Sequence, residues 1–218
     1  TSAVPISFKT LYNWLYQGKL PSHLLSCLRQ KGKRQRPPEK RGKIKIEYSI
    51  HQRPESVKNR KQFGHWELDT MVSSRGKSKG TFATFVERTS RFFLAFKIPD
   101  RTSLSMNQVI STLRKKLPRK AMRTATVDRG SEFAGHMELK KELKLHLYFA
   151  DPYCSWQRGS NENANGLLRE FFPKKTDLAL VKEEELQRAL FLINSRPRKC
   201  LGWKTPYEVF LDKLSHLN

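Results

Sequence analysis

Apolar positions along this chain recur at two spacings, and the switches between them mark out the elements. Over residues 7–16, Phe8, Leu11, Trp14 and Leu15 share one side of a helical period while Lys9, Thr10 and Asn13 fall on the other. That spacing predicts a short helix with Ser7 as its N-cap. From Phe63 onward the pattern becomes that of a compact domain. A strand is predicted over 65–73, followed by a polar, Gly-containing turn at 73–80 and a β-rich run at 81–86. A turn at 87–90 and a third strand over 91–98 complete an antiparallel meander. Met106, Val109, Ile110, Leu113 and Leu117 predict a helix over 103–117 that Pro118 stops. A fourth strand ends at Asp128, a helix covers about 132–143, and a fifth short strand covers 145–150. Further helices are expected at about 159–172 and 182–195. Periodicity alone supports a mixed α/β domain.

Charge changes the picture between the first helix and the domain. Residues 29–61 hold 13 Lys or Arg against three acidic residues, with Pro37-Pro38 and scattered glycines. This stretch reads as a basic, partly extended linker suited to a phosphate backbone, with Lys33, Arg34, Arg36, Lys40 and Arg41 as its DNA-binding candidates. The whole 218-residue chain carries a net charge of +23, which points to nucleic acid or another anionic surface. Three cysteines, Cys27, Cys154 and Cys200, are odd in number and far apart, so they suggest neither a disulfide framework nor a zinc site and fit a reducing cytosol. No apolar run approaches the roughly 18 residues of a membrane span, and no signal peptide is visible. The chain begins at Thr1, and its first residues read as the middle of something longer. The expected organisation is therefore an N-terminal helical remnant over 1–28, a basic linker over 29–62 and a domain over 63–218.

Three acidic residues then stand out. Asp69 lies in the first strand, Asp128 ends the fourth, and Glu162 lies near the start of the helix after Ser155-Trp156-Gln157-Arg158-Gly159. Any one of them alone is more often a surface charge or a helix cap. Carboxylates drawn from two strands and a helix can together hold two Mg²⁺ ions about 4 Å apart, the arrangement used in phosphodiester chemistry. A carboxylate on a buried strand is costly without a partner, so a metal or another cation is expected beside Asp69. Arg169 follows Glu162 by seven residues, about two helical turns, which places a basic group on the same face. Glu67, two residues from Asp69, is a candidate auxiliary ligand, and Glu132 a candidate support from behind. Tyr153, Trp156, Gln157 and Arg158 form a loop that can offer stacking and polar groups to DNA. His65 and Trp66 read as structural, and His136 and His146 lack metal-like spacing.

The segments His65-Trp66-Glu67-Leu68-Asp69-Thr70, Asp128-Arg129-Gly130-Ser131-Glu132-Phe133 and Asp151-Pro152-Tyr153 through Glu162-Asn163 resemble the three blocks of bacterial insertion-sequence transposases with a DDE core. The resemblance is to the insertion-sequence family numbered thirty, related to retroviral integrase cores. It includes the 33 residues between Asp128 and Glu162 and the tail from Asn194 to Glu208. Leu68 and Arg129 depart from the usual glycine and asparagine of that pattern. The resemblance implies an α/β, RNase H-like core with a five-stranded mixed sheet flanked by helices. It maps a metal-binding catalytic triad onto Asp69, Asp128 and Glu162, with two Mg²⁺ or Mn²⁺ ions and Arg169 as basic partner. It implies strand cleavage and strand transfer on transposon terminal inverted repeats and target DNA. A homo-oligomer in the DNA complex, no membrane partner and a place in the bacterial cytoplasm at the nucleoid follow from it. Residues 7–16 would be the remnant of a helix-turn-helix. Two other readings stay open on the residues alone: a catalytically inactive DNA-binding module derived from such an enzyme, and a ribonuclease acting on RNA–DNA hybrids.

Overall fold

The computed structural model describes residues 6–28, 46–73 and 78–217. The chain divides into two compact units, Thr1–Lys40 and Arg41–Asn218. In the first, α1 (Phe8–Tyr16) starts where the Ser7 side chain accepts the Lys9 backbone N–H, and a 3-10 helix follows at Ser22–Cys27. None of the residues in these two elements is buried. Lys33, Arg34, Arg36, Lys40 and Arg41 lie outside the described residues.

The second unit is built on five strands: β1 (His65–Val72), β2 (Thr81–Glu87), β3 (Phe93–Ile98), β4 (Thr124–Val127) and β5 (His146–Phe149). Their order in the sheet is β3-β2-β1-β4-β5. The first three pair antiparallel, as the meander predicts, and β4 and β5 join parallel to β1. Parallel pairing needs crossovers, and the helices α3 (Ser103–Lys116) and α4 (His136–Leu143) supply them. This is the RNase H-like arrangement.

The two-residue repeat sorts every strand between two helical layers. Trp66, Leu68, Ala83, Phe85, Ile98, Ala125, Val127, Leu147 and Phe149 face one core with Met106, Ile110 and Leu113 of α3 and Leu139 of α4. Phe210 of α7 (Pro206–Ser215) completes that layer, with its ring 4.1 Å from Phe92 and 5.3 Å from Phe63. Met71, Phe82, Val86, Phe93 and Ala95 face the opposite core, made with α5 (Gly159–Phe171) and α6 (Glu183–Asn194). At the C-terminal end of α6, Asn194 accepts the Phe93 N–H at 2.9 Å and donates to the Phe93 carbonyl at 2.8 Å.

Of the basic linker expected over 29–62, residues 29–45 lie outside the described residues. Residues 46–62 fold within the second unit, where Ile50 and Val57 of the short helix α2 (Glu55–Lys58) and the turn before it are buried. The Phe149 N–H donates to the Tyr48 carbonyl at 2.9 Å, and Arg53 donates to Thr126 Oγ1 at 3.1 Å. Helix α7 lies beyond the last helix that periodicity delimits. Its start is marked by Thr205, Pro206 and Glu208, which form a capping box with Pro in the first turn.

The entry to β1 is pinned by polar contacts. Gly64 takes a φ of +96°, and a Cβ there would come within 2.3 Å of the Lys120 carbonyl oxygen, so only glycine fits. Glu87 is fully buried and accepts from Gly64, Thr89 and Ser90 N–H groups, so burial pushes its carboxyl up while those bonds hold it down. Trp66 donates to the Ala121 carbonyl at 2.8 Å, and His65 bridges Thr124 Oγ1 and Gln62 Oε1, both at 2.8 Å.

Burial, reinforced by nearby arginines, pushes the His65 imidazole down from its ordinary 6.5 to about 4. Between those two values the unfolded chain carries a proton that the folded chain does not, so stability falls as pH drops from 6.5 towards 4. Urea midpoints across that range should fall more steeply for the native protein than for His65→Gln. Parallel pH profiles would mean that His65 does not contribute.

Candidate active site

Strand register brings the first two acids together. Glu67 lies opposite Thr126 in the parallel β1–β4 pair, so two residues further along Asp69 comes beside Asp128. Both lie on the sheet face that α5 covers. One oxygen of each carboxylate is fixed by the backbone: Thr70 N–H donates to Asp69 Oδ1 at 2.8 Å and Gly130 N–H to Asp128 Oδ1 at 2.9 Å. The other oxygens turn towards one guanidinium. Arg158 Nη1 is 3.1 Å from Asp69 Oδ2, and Nη2 is 3.4 Å from Asp128 Oδ2. Burial pushes the Asp69 carboxyl above its usual range, and the Arg158 charge offsets part of that rise. The cation that a buried Asp69 requires is therefore Arg158. The sequence reading placed Arg158 among the DNA contacts; here its side chain is only 10% exposed and faces the acids.

Around this centre lies a ring of supporting contacts. Glu132 is fully buried and accepts from Thr70 Oγ1 at 2.9 Å and from Arg101 Nε and Nη2 at 2.7 Å. It thereby fixes the residue whose N–H holds Asp69. Glu67 pairs with Arg88 at 3.0 Å and accepts the Asn161 N–H at 2.9 Å, so its carboxylate is engaged in docking α5. Asn161 also donates through Nδ2 to the Glu67 carbonyl, and Asn165, one turn on, approaches Asp69 Oδ2 at 3.4 Å. Both Oδ2 atoms thus present hard oxygen to a single positive group, a donor set that suits a divalent cation such as Mg²⁺.

Known proteins resemble this chain in sequence and in fold. Residues 59–155 match the integrase core domain family. The chain is 38% identical over 218 residues to the transposase for insertion sequence element IS1086 of Cupriavidus metallidurans, covering 97% of this chain and 64% of that one. It is 39% identical over 214 residues to transposase InsI for element IS30C of Escherichia coli, covering 94% and 55%. The chain is thus similar, along nearly its whole length, to transposases of the IS30 type. The catalytic core domain of BIV integrase has the same fold, with a TM-score of 0.54 and 25% identity over 70% of this chain and 96% of that one. The chain spans less than two thirds of the length of the two named relatives.

The remaining candidate residues lie as follows. Glu162 is exposed on the first turn of α5 and makes no hydrogen bond or ion pair among the described residues. Among those residues no three His, Cys, Asp or Glu side chains converge, so Asp69 and Asp128 are brought together and Glu162 is not drawn in. Arg169 donates to the Val72 carbonyl at 3.0 Å and the Phe172 carbonyl at 3.4 Å, tying α5 to the end of β1. Trp156 and Tyr153 are 72% and 70% exposed. Gln157 uses its amide on Asp151, accepting the backbone N–H at 2.8 Å and donating to Oδ2 at 3.0 Å. Asp151 also meets His51 at 2.8 Å. The two departures from the family pattern are accommodated: Leu68 is fully buried in the core, and Arg129 donates to the Ala150 carbonyl at 3.3 Å. Sequence reasoning did not single out Thr70, Arg101, Asn161 or Asn165. The Asn161 and Asn165 pair, four apart on one helical face, was the available signal.

Gly130 has no room for a side chain: a Cβ would lie 2.2 Å from Glu132 Oε2 and 2.8 Å from Asp128 Oδ1. Gly130→Ala should displace the Glu132 carboxylate and cost about 2 kcal/mol of stability or more, as overpacking at a rigid site does. Urea unfolding measures it, and a change within experimental error would show that the loop relaxes freely.

Proposed function

We propose that this chain is the catalytic part of a DNA transposase that cuts and joins strands at insertion-sequence ends. The observation that carries the reading is the convergence of Asp69 Oδ2 and Asp128 Oδ2 on one cationic position beside the helix that bears Glu162. The family generally works with divalent metal ions. We infer that Asp69, Asp128 and Glu162 hold two of them, Mg²⁺ or Mn²⁺. When bound, such a pair activates an attacking water or 3′-hydroxyl oxygen and stabilises the leaving oxygen of the phosphodiester.

The protein's own residues divide the remaining work. The N–H groups of Thr70 and Gly130 fix the orientation of the two aspartates, so that only one oxygen of each is offered. Glu132 and Arg101 hold Thr70 in place. Exposed Trp156 and Tyr153 offer flat faces on which unpaired bases at a DNA end can stack. The net charge of +23, with Lys33, Arg34, Arg36, Lys40 and Arg41 in the linker, supplies the phosphate contacts that binding to any DNA sequence needs. The partners in this reading are the terminal inverted repeats, target DNA and a second copy of the chain, in the bacterial cytoplasm at the nucleoid. Among the described residues no helix is long and apolar enough to cross a membrane.

The test is a labelled duplex bearing the element's terminal repeat, incubated with Mg²⁺ or Mn²⁺ and either native protein or Glu162→Gln. Losing a metal ligand removes several kcal/mol of charge stabilisation, about a thousandfold in rate, so nicking should vanish while DNA retention in a gel persists. Equal nicking by both proteins would remove Glu162 from the triad. Tight binding by the native protein with no nicking would make the chain a binding module.

A further inference from the structure

A guanidinium and a divalent cation cannot share one position. Arg158 sits where both free aspartate oxygens point, and its Nη1 also donates to the Leu68 carbonyl at 3.3 Å. It is 8% exposed, so water does little to dilute these charges. An ion held by Asp69 and Asp128 would meet like charge at contact distance unless Arg158 withdrew.

We infer that Arg158 is a latch displaced by metal: it neutralises and spaces Asp69 and Asp128 in the metal-free protein, and its departure is coupled to cation entry. The inference rests on the reading of this site as a metal site. Three observations support it. First, the aspartates are already arranged as they would be for a cation, with Oδ1 atoms on backbone N–H groups and Oδ2 atoms on Arg158, so the latch preserves the donor geometry instead of collapsing it. Second, Glu162 is exposed and unpaired among the described residues, as expected when the two aspartates are already served by a single positive charge. Third, the backbone that carries Arg158 is held independently of its side chain. Residues Ser155–Arg158 form a 3-10 turn, and Gln157 anchors to Asp151. The guanidinium can therefore leave by side-chain rotation while α5 keeps its place on Glu67 through Asn161. Arg158 is a positioning residue in this scheme. It sets how readily metal binds and in what geometry the aspartates wait.

Mn²⁺ binding to the full chain, followed by electron paramagnetic resonance of the free ion, reads the competition directly. Arg158→Ala should bind Mn²⁺ about tenfold more tightly than the native protein, or about 1.4 kcal/mol. Its metal-free melting temperature should fall, and Mn²⁺ should raise that temperature more than it does in the native chain. Equal or weaker Mn²⁺ affinity in Arg158→Ala, with the native protein binding normally, overturns the latch and leaves the metal site standing. No Mn²⁺ binding by either protein overturns both. Should Arg158→Ala not fold, the native protein still decides the matter: the Arg158 side-chain N–H resonance should shift in step with Mg²⁺ occupancy. A resonance that stays put while Mg²⁺ binds, a binding lost in Asp128→Asn, refutes the latch.

Discussion

A carboxylate in the middle of a sheet must be neutralised where it lies, and the second unit is organised around that requirement. Glu67 and Asp69 stand on one face of the central strand, and Glu87 closes the neighbouring one. Each is met differently. Glu87 is surrounded by N–H donors from its own turn and from Gly64, Glu67 by Arg88 and an N–H of the first turn of α5, and Asp69 by Arg158. Unpaired, any of them would cost more than a typical domain can spare. The position of α5 follows from this: the helix is drawn to the sheet by Leu168 and Ala164 at one end and by the needs of Glu67 and Asp69 at the other.

The two faces of β1 show how one strand serves folding and chemistry at once. Trp66 and Leu68 are fully buried among apolar side chains. Glu67 and Asp69, which alternate with them, carry charge. A shift of one residue in register would bury the acids in the apolar layer and turn the tryptophan onto the face that α5 covers, so the apolar face fixes the chemical one. The parallel neighbour β4 repeats the division, with Ala125 and Val127 inward and Asp128 at its end beside Asp69.

Much of this was legible in the chain itself, because period-two alternation and a few stops carry the strands and crossover helices with little ambiguity. The limits of legibility are particular. Residues 46–62 read as linker because they continue a strongly basic stretch, and the two apolar residues that anchor them, Ile50 and Val57, are isolated in sequence. Helix α7 is capped by an ordinary signal at Thr205 and Glu208 that a motif-based reading of the tail passed over. Asp69 and Asp128 were legible as a pair because strand ends converge. The place of Arg158 was not, since it depends on how the turn at 155–158 folds back over the acids. Glu162 shows the same limit from the other side: its position on a helix is plain, but whether it closes on the aspartates depends on what already occupies them.

The hydrogen bonds between Asn194 and Phe93 bear on assembly. At one margin of the sheet a side-chain amide takes the place of a neighbouring strand, and at the other, residues 48–49 lie along β5. Outward-facing peptide groups are the usual invitation for another chain to add a strand. With both margins partly occupied from within, less of either edge is open to an added strand. A second chain, were one to bind, would find helices and loops more accessible, where contacts can be made and broken without unravelling the sheet that holds the acids.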